Sequence, residues 1–396
     1  MSERSILALL IVFVFLPAVA IGQSLEKKEN SVRIATYNTA MNRKQAGQLH
    51  KELAGGKNRQ ARASAEIIQR VRPDILLINE IDYDKESKAA LSFIKEYLGA
   101  GQGSEKPIEF KHHYIGPVNT GVKTGVDLDN NGKTTDPNDA FGFGVFPGQY
   151  GMLVLSNLEI DKENVRSFQK FLWKDMPGAL WPIVPETKKS YYSDNAKKIF
   201  RLSSKNHWAV PIKVGGKTIH FLVSHPTPPV FDKEEDKNGR RNHDEIRIWK
   251  DFISNKADYL YDDTGKKGGL ASGEHFIIAG DLNADPMDGD QAVGAIQQLL
   301  GHELVNPVAP KSTGGAYWAK EQGGVNDKHK GDPACDTGDW RDAGKYAGGN
   351  ARVDYVLPSK TLKVVGSGVF WPKPDEPGFA ACKQSDHRLV WVDIEK

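Results

Sequence analysis

Short apolar segments that carry one or two polar residues at an end recur along almost the whole chain, and this pattern limits the possible folds most. Segments of four to eight residues rich in Val, Ile and Leu are typical of buried β-strands. A rigid sheet can aim side chains from distant sequence positions at one point. The polar end residues are Asn38, Glu80, His225, Asp281 with Asn283, Asp354, and Asp386 with His387. Because they run from residue 38 to residue 387, we expect one site and one catalytic domain rather than two.

The segments between these strands predict helices and hairpins. Apolar spacing indicates helices near residues 59–70, 88–97 and 244–255, and the Gly215-Gly216 pair joins two strands in a hairpin. Such a mixture is typical of mixed sheets covered by helices, an α/β architecture. Residues 100–147 are expected to be mostly loop. The aromatic insert at 165–205 is expected either to wall a compact pocket or to form a satellite core.

The N-terminus has the pattern of an export signal. Arg4 precedes an unbroken apolar run from Ile6 to Leu16, and small residues suited to signal peptidase follow Pro17. We therefore expect a signal peptide at residues 1–22, a loose tail at 23–31 and the catalytic domain at 32–396. The expected location is secreted or periplasmic. An uncleaved anchor is the alternative, although the run is short for a membrane span.

Composition sets weaker limits on function. The chain has 396 residues, 39% hydrophobic and 26% charged, which is a normal balance for a folded protein, and its net charge of +2 neither requires nor excludes a nucleic-acid substrate. Only Cys335 and Cys382 are present. In an exported protein an even number of cysteines predicts a disulfide between them, with two buried free thiols as the alternative.

The polar end residues suit hydrolysis of a phosphoester. Carboxylate and amide oxygens favour Mg²⁺ or Mn²⁺ over zinc, so Glu80 and Asp386, with Asn38 close by, are the predicted metal ligands. Water needs a base before it can attack phosphorus. Asp281 is the predicted base, and Asn283, two residues along the same extended segment, is expected to orient that water.

The histidines complete the predicted catalytic set. Negative charge spreads over the phosphoryl oxygens in the transition state, and His225 and His387 can donate hydrogen bonds to it. A carboxylate behind an imidazole fixes its tautomer, and Asp354 is the residue suited to that role for His387.

Five local motifs carry a family resemblance. They are Thr36-Tyr37-Asn38, Ile78-Asn79-Glu80-Ile81, Gly280-Asp281-Leu282-Asn283, Arg352-Val353-Asp354-Tyr355-Val356 and Ser385-Asp386-His387. In this order they resemble the motifs of the endonuclease/exonuclease/phosphatase superfamily, from about residue 32 to 393. The resemblance implies a four-layer α/β/β/α sandwich of two mixed sheets flanked by helices, as in DNases. It also implies the roles assigned above to the metal ligands, the base and the histidines.

The chain departs from some members of this superfamily at two positions. Ala40 stands where abasic-site endonucleases have an acidic residue, which puts a second metal ligand in doubt. Pancreatic-type DNases pair a glutamate with the first histidine, whereas this chain has Gln149 in that region, so Gln149 is expected to orient His225.

Two features resemble exported bacterial members described as phytase-like. One is the segment around Gln149, and the other is Ser224-His225-Pro226-Thr227, followed by Arg240, Arg241 and Asn242. The arginines are predicted to clamp a phosphate, since guanidinium matches phosphate bidentately. The alternative is a helix entrance with ordinary surface charges.

The acidic stretch that begins at Asp127 resembles the start of a calcium loop. Asp127, Asp129 and Asn131 occupy its first, third and fifth positions, and Gly132 occupies the sixth. No glutamate follows at the twelfth position and no helices clearly bracket the loop. Calcium binding is therefore weighed against a solvated acidic loop.

Together these observations predict a monomeric, secreted, Mg²⁺-dependent phosphoester hydrolase that prefers small or medium substrates. One alternative is an extracellular nuclease acting on DNA or RNA. Another is a catalytically inactive module that binds phosphoesters on the same fold, which the complete set of motif residues argues against.

Overall fold

The computed structural model describes residues 25–254, 256–290, 292–345 and 347–396. The predicted signal peptide lies outside them and stays a prediction. The strands are β1 (Ser31–Asn38), β2 (Ile75–Asn79), β3 (His112–Ile115), β4 (Met152–Ser156), β5 (Arg166–Ser167), β6 (His207–Val214), β7 (Lys217–Ser224), β8 (His275–Asp281), β9 (Gly338–Asp339), β10 (Asn350–Ala351), β11 (Asp354–Pro358), β12 (Val364–Val369) and β13 (Val390–Glu395). The α-helices are α1 (Gln48–Leu53), α2 (Arg59–Val71), α3 (Lys88–Ser92), α4 (Asp194–Ile199), α5 (Lys237–Ile253), α6 (Gln297–Leu300), α7 (Thr313–Gln322) and α8 (Phe379–Cys382). A π-helical turn, Phe93–Leu98, continues α3.

The strands form two large mixed sheets. The first has the order β12-β13-β1-β2-β4-β3 and the second the order β11-β8-β7-β6-β5. In the first sheet only the β1–β2 pair is parallel, and in the second only β7–β8. The short strands β9 and β10 pair separately beside these sheets.

Alternation along the strands builds the layers. Ile34 and Leu77 face the second sheet and pack in a core with Phe221 and Ile277, whereas their neighbours Ala35 and Leu76 face the helices of the first sheet. A third core lies between the second sheet and its own helices. Successive side chains of a strand point to opposite faces, so three cores separate four layers. The predicted α/β/β/α sandwich is confirmed.

Helix α2 shows how local signals set the outer layers. The side chain of Asn58 accepts a hydrogen bond from Ala61 N–H, which caps the helix start, and Arg72 ends it in the left-handed region. Its face bearing Ala61, Ile67 and Ile68 is buried against the first sheet.

Packing corrects one expected helix boundary and decides between the two alternatives for the aromatic insert. Helix α5 begins at Lys237 rather than near residue 244, because its first turns bury polar side chains, and these hide the apolar period. The aromatic insert is satellite core: Phe168, Phe171 and Trp173 are fully buried against α5 and do not wall a pocket.

The described part of the N-terminal tail, residues 25–30, is tied down rather than loose. Lys27 forms an ion pair with Asp74 at 2.8 Å, and Arg33 donates a hydrogen bond to the carbonyl of Leu25. Leu25 also packs against the core beneath the first sheet. The stretch is therefore a short arm of the domain.

The predicted disulfide is wrong: Cys335 and Cys382 are both free, buried thiols. Cys382 ends α8 inside the core of the first sheet, where its Sγ lies 3.7 Å from the Phe370 carbonyl and burial raises its pKa to about 12. Cys335 lies in a separate 3₁₀ turn, Pro333–Cys335, where burial also raises the pKa of the thiol. Cys382 thus packs as a small apolar group in the core of the first sheet.

Within the described residues, no helix combines the length and the apolar character needed to cross a membrane.

Candidate active site

The polar end residues converge at one edge of the sandwich. Strand β1 ends there with Asn38 and β8 ends there with Asp281, while Glu80 directly follows β2 and His225 directly follows β7. Strand β11, antiparallel to β8, begins there with Asp354 paired to Asp281. The two sheets meet at this edge, where the Asn38 side-chain amide donates to Asp281 Oδ2 at 3.0 Å.

Asp281 lies at the centre of the cluster. Its Oδ2 is 3.4 Å from His225 Nε2 and 3.6 Å from His387 Nε2, and its Oδ1 accepts the Asn283 N–H at 3.0 Å. Burial raises the pKa of this carboxyl, partly offset by His387 and reinforced by the charge of Asp354. A carboxylate with a raised pKa holds a proton more readily than an exposed one, which suits a general base.

His387 and Asp354 form a buried pair. His387 Nδ1 lies 2.8 Å from Asp354 Oδ2, and Ser385 Oγ accepts the backbone N–H of His387. Burial would lower the pKa of His387, but Asp354 and Asp281 outweigh it and raise the pKa well above its ordinary value. The ring is therefore protonated at neutral pH and presents Nε2–H beside Asp281.

His225 is the opposite case. Burial, with the charges of Lys205 and His387, lowers its pKa well below the ordinary value, so the ring is neutral. Its Nδ1 is buried without a hydrogen-bond partner. Gln149 does not orient it, contrary to expectation: the Gln149 amide donates to the Arg43 carbonyl and accepts from Val145 N–H, which fixes its own loop.

Glu80 and Asp386 supply the outer carboxylates. Glu80 has a left-handed backbone (φ 60°), which turns its side chain away from the direction of β2, and its Oε2 accepts from the Asn42 amide at 2.7 Å. Burial raises the pKa of Glu80, against the charges of His387 and Lys205, and Asp386 raises it further. Asp386 is exposed and accepts from Trp340 Nε1 at 3.1 Å.

Asn38 differs from its predicted role as a metal ligand. Its amide nitrogen faces Asp281, while its amide oxygen already accepts the Ala40 N–H at 3.1 Å. This orientation suits a residue that holds the base in place better than one that offers oxygen to a cation. Asn283 also differs: its backbone is left-handed (φ 51°) rather than extended, and its amide donates to the Pro226 carbonyl.

The residues present fit a hard divalent cation at the outer carboxylates. Asp281, Asp354 and His387 also have ligand atoms within 4.8 Å of one another. Protonation of His387 makes that inner group a hydrogen-bond relay, because a protonated imidazole has no lone pair to offer. Glu80 and Asp386 lie close enough for the charge of Asp386 to raise the pKa of Glu80, and carboxylate oxygens are the donors that Mg²⁺ or Mn²⁺ prefers.

The predicted phosphate clamp on α5 is corrected in part. Arg241 is buried, and its guanidinium donates to the carbonyls of Leu202, Phe141 and Arg201. Asn242 is buried and donates to the carbonyls of Thr227 and Leu282. Both residues therefore brace loops instead of binding an anion.

Arg240 is the one member of this group that stays partly exposed. Its side chain lies 4.0 Å from Asp236 in a weak ion pair. Phosphate binding by Arg240 stays a prediction.

The acidic loop brings three carboxylates together. Carboxylate oxygens of Asp127, Asp129 and Asp139 lie within 4.8 Å of one another. The Asn131 amide donates to Asp136, and its side-chain oxygen accepts the Lys133 N–H. Asp139 is buried and accepts from Leu128 N–H, so it anchors the loop from below.

Lys205 is a buried cation beside the site that none of the sequence motifs indicates. It is 6% exposed, and its amine has one weak hydrogen bond, to the Pro226 carbonyl at 3.4 Å. Burial lowers its pKa, while Glu245, Glu80 and Asp281 raise it. In the hairpin His207 pairs with Ser224, and this register places Lys205 beside the loop that carries His225. The register is the sequence signal that could have identified Lys205 as a site residue.

Glu245 on α5 was also missed. It is fully buried, and its two oxygens accept Ser204 N–H and Thr227 N–H, each at 2.6 Å. One carboxylate thus joins the loop that carries Lys205 to the loop that carries His225. The sequence signal for Glu245 is a charged residue in the middle of α5, next to the apolar positions that face the protein interior.

Trp340 packs at the outer side of the cluster. Its ring meets the His387 ring edge to face, with centroids 5.4 Å apart, while its indole N–H holds Asp386. It comes from an irregular loop after β9, where no periodic pattern marks it.

Comparisons with known proteins agree with this geometry. The family model described as "Endonuclease/Exonuclease/phosphatase family" matches residues 35–387. No curated protein sequence matches the chain significantly.

Several solved structures are similar to the chain at low sequence identity. An endonuclease/exonuclease/phosphatase from Beutenbergia cavernae DSM 12333 is 15% identical, with a TM-score of 0.49 over 92% of this chain and 72% of that one. A magnesium-bound mutant of beta toxin from Staphylococcus aureus is 13% identical, with a TM-score of 0.46 over 92% and 100%. TDP2 from Caenorhabditis elegans is 16% identical, with a TM-score of 0.42 over 94% and 77%.

The family match covers nearly all of the described domain, including every candidate site residue from Asn38 to His387. The chain belongs to the endonuclease/exonuclease/phosphatase family and is a metal-dependent hydrolase of phosphoester bonds.

Proposed function

We propose that the chain is an exported, Mg²⁺-dependent phosphoesterase in which Asp281 activates water and small or medium phosphoesters are the preferred substrates. The observation that carries this proposal is the central position of Asp281, a buried carboxylate that accepts a hydrogen bond from Asn38 and lies between the imidazoles of His225 and His387, whose pKa values are shifted in opposite directions. Asp281 can take a proton from water, and His387 already carries a proton that it can donate in a hydrogen bond.

Asp281 is the base. Its neighbours limit its movement, since Asn38 holds Oδ2 and the Asn283 N–H holds Oδ1. A water hydrogen-bonded to this carboxylate would give it a proton as it attacks phosphorus. General-base catalysis of this kind contributes about 10²- to 10⁴-fold.

Three donors surround the place where the phosphoryl group would lie. Protonated His387 presents Nε2–H, neutral His225 can present its own Nε2–H, and Lys205 adds a buried positive charge. Each stabilises charge that grows on the phosphoryl oxygens, and in a site with little water such donors act strongly. Asp354 holds His387 in the required tautomer.

Glu80 and Asp386 would hold the cation. A bound Mg²⁺ supplies Lewis-acid stabilisation of the phosphoryl and leaving-group oxygens. Trp340 orients Asp386, and Asn42 orients Glu80, so both carboxylates are fixed before any cation arrives.

Charge supports small substrates over duplex DNA. The chain has 53 basic and 51 acidic residues, whereas duplex binding depends on many Lys and Arg contacts. Arg241 is used as an internal brace, which removes one contact that a polyanion would need. The acidic loop around Asp129 carries negative charge, which repels a polyanion such as DNA.

Two further features belong to this proposal. The apolar run at Ile6–Leu16 supports export to the periplasm or the medium. The converging carboxylates of Asp127, Asp129 and Asp139 support Ca²⁺ binding in the acidic loop. Calorimetric titration with Ca²⁺ tests the loop: Asp129→Asn should remove one binding event, and unchanged stoichiometry would contradict this assignment.

The catalytic proposal is tested with a substrate panel in Mg²⁺ at physiological salt. The panel contains p-nitrophenyl phosphate, bis-p-nitrophenyl phosphate, inositol phosphates, single-stranded DNA and plasmid DNA. We expect the highest kcat/KM on a small ester and loss of activity in Asp281→Asn, with the exposed Asp290→Asn as matched control. DNA hydrolysed orders of magnitude faster than every small ester would establish the nuclease alternative instead. Inactivity on the whole panel would favour a module that only binds.

A further inference from the structure

Trp340 is an aromatic side chain at the catalytic edge that belongs to none of the three cores. It is partly exposed, whereas Trp173, Trp208 and Trp249 are fully buried inside the sandwich. Among the described residues, only the His387 ring packs against its indole as an aromatic partner. Aromatic side chains commonly line ligand sites. An indole that no core covers, beside the reacting groups, is therefore a candidate contact for the substrate.

The main chain holds Trp340 against the loop that carries Asp386 and His387. Its backbone N–H donates to the Gly349 carbonyl beside β10, so the β9–β10 ribbon supports it from one side. The N–H of the preceding residue, Asp339, donates to the Asp386 carbonyl at 2.8 Å. The indole therefore extends from a backbone that is tied to the site.

The side-chain contacts of Trp340 fix the indole as well. Its N–H donates to Asp386 Oδ2 at 3.1 Å. Its six-membered ring packs against Gly338, where an added Cβ would lie 2.3 Å from the nearest indole atom, so only glycine leaves room for the ring. A contact surface that is already fixed loses little conformational freedom when a ligand binds, and this favours affinity.

The reacting groups lie within one side chain of the indole. The Nε2 atom of His387 is 3.6 Å from Asp281 Oδ2, and the His387 ring centroid is 5.4 Å from that of Trp340. Asp386, held by the indole N–H, is one of the two carboxylates assigned to the cation. A phosphoryl group bound between His387 and the cation would therefore carry its organic substituent into the neighbourhood of Trp340.

We propose that Trp340 is a binding platform for the organic group of the substrate and gives the site a preference for phosphoesters that carry a planar aromatic ring. This inference rests on the proposed function, since it concerns the part of a small or medium ester that lies next to phosphorus. A planar ring stacks on an indole or meets it edge to face, and the pair contributes more than the apolar area that it buries. A saturated ring of the same size buries a similar area without that contribution.

The test compares benzyl with cyclohexylmethyl esters of phosphate, as monoesters and as methyl diesters, in saturating Mg²⁺. Both esters release a primary alcohol, so the ratio of their kcat/KM values reports the contact with the ring rather than the reactivity of the leaving group. We expect the parent to favour the benzyl ester by about 2- to 10-fold. Trp340→Leu should bring the ratio close to one, whereas Trp340→Phe should keep a preference for the benzyl ester.

Two comparisons separate the ring from other effects of the substitution. Trp340→Phe loses the N–H that holds Asp386, so it should need more Mg²⁺ for half-maximal activity while its ester preference remains. Trp318→Leu is the matched control and should keep the parent ratio, because Trp318 is also partly exposed but stacks on Phe379 and donates to the Pro372 carbonyl. Thermal unfolding shows that each variant is folded. A parent ratio near one, a parent ratio retained in Trp340→Leu, or an equal loss in Trp340→Phe or Trp318→Leu would overturn the platform.

Equilibrium binding keeps this test apart from the proposed function. Benzylphosphonate and cyclohexylmethylphosphonate cannot release an alcohol, and calorimetric titration in Mg²⁺ measures their affinities without turnover. If the parent hydrolyses neither ester, the proposed activity on small esters fails, and the two phosphonates decide the role of Trp340. Tighter binding of benzylphosphonate by the parent, lost in Trp340→Leu, would support the platform. Equal affinities, or no binding of either compound, would then overturn it.

Discussion

Lys205 offers a substitution that should separate catalysis from stability. Its amine is buried, makes one weak hydrogen bond to a carbonyl, and lies within the electrostatic reach of Glu80, Asp281 and Glu245. Methionine has a similar length without the charge. Lys205→Met therefore removes the cation and keeps most of the packing.

The expected loss of activity follows from the role of a fixed donor at a developing negative charge. Removal of one such donor typically costs about 10²- to 10³-fold, or about 2.7–4 kcal/mol of transition-state stabilisation. We expect kcat/KM of Lys205→Met to fall by about that factor on the best small phosphoester, because the charge acts on the phosphoryl group during the reaction.

The expected effect on stability has the opposite sign. Burial lowers the pKa of Lys205 in the folded protein below its value in the unfolded chain. A base with a depressed pKa costs folding free energy while it is protonated, at every pH below its unfolded pKa. Lys205→Met removes that cost, so its unfolding temperature should be equal to or higher than that of the parent.

The assay pairs steady-state kinetics with thermal unfolding in the same Mg²⁺ buffer. Lys213→Met, an exposed substitution on β6, is the matched control and should change neither quantity. Parent-like kcat/KM in Lys205→Met would refute the catalytic role. A lowered unfolding temperature with a loss of activity in proportion would show that Lys205 is structural.

Three further predictions concern the same edge and its surroundings. Asp354→Asn should lower kcat by at least about 10²-fold, measured by steady-state kinetics, because His387 loses the carboxylate 2.8 Å from its Nδ1; parent-like kcat would contradict the relay. Gly280→Ala should lower the free energy of unfolding by roughly 2 kcal/mol or more in urea titrations, since a Cβ there would meet the Ser224 carbonyl and the backbone φ is +148°; an unchanged midpoint would contradict it. In chelator, Asp336 should make the protein less stable as pH rises from about 4 to about 8, because its folded pKa is raised above the unfolded value and the folded state binds the proton more tightly. Asp336→Asn should flatten this slope in unfolding temperature against pH, and an identical slope would count against the raised pKa.

The catalytic strand ends could be predicted because two local signals coincide there. An apolar run marks each strand, and a polar residue at its end breaks the run, as at Asn38, Glu80 and Asp281. Parallel pairing of β1 with β2 and of β7 with β8 then brings these ends to one edge. The disulfide and the loose tail could not be judged in this way, since both depend on three-dimensional surroundings that no sequence period encodes.

Asn283 shows a limit of period-based prediction. A strand that continued past Asp281 would point Asn283 to the same side, but the chain turns left-handed at that residue. The turn lets Asn283 N–H reach back to Asp281 Oδ1, and its side-chain amide reaches the His225 loop at the Pro226 carbonyl. Asparagine tolerates this backbone and bonds to nearby peptide groups, so the residue type was compatible with both outcomes.

Lys205 and Arg241 show that the charge of a residue does not reveal which groups its side chain will contact. Arg241 is one of the two arginines predicted to clamp a phosphate, yet its guanidinium donates to carbonyls of the segments at residues 141 and 201–202, which are distant in sequence. Nothing local to α5 indicates those partners. Lys205 is different, because a two-residue turn at Gly215-Gly216 fixes the register of β6 against β7. Counting back along that register places Lys205 across from the residue after His225. The cation of the site was therefore within reach of sequence analysis through strand register, whereas the internal role of Arg241 required the folded loops.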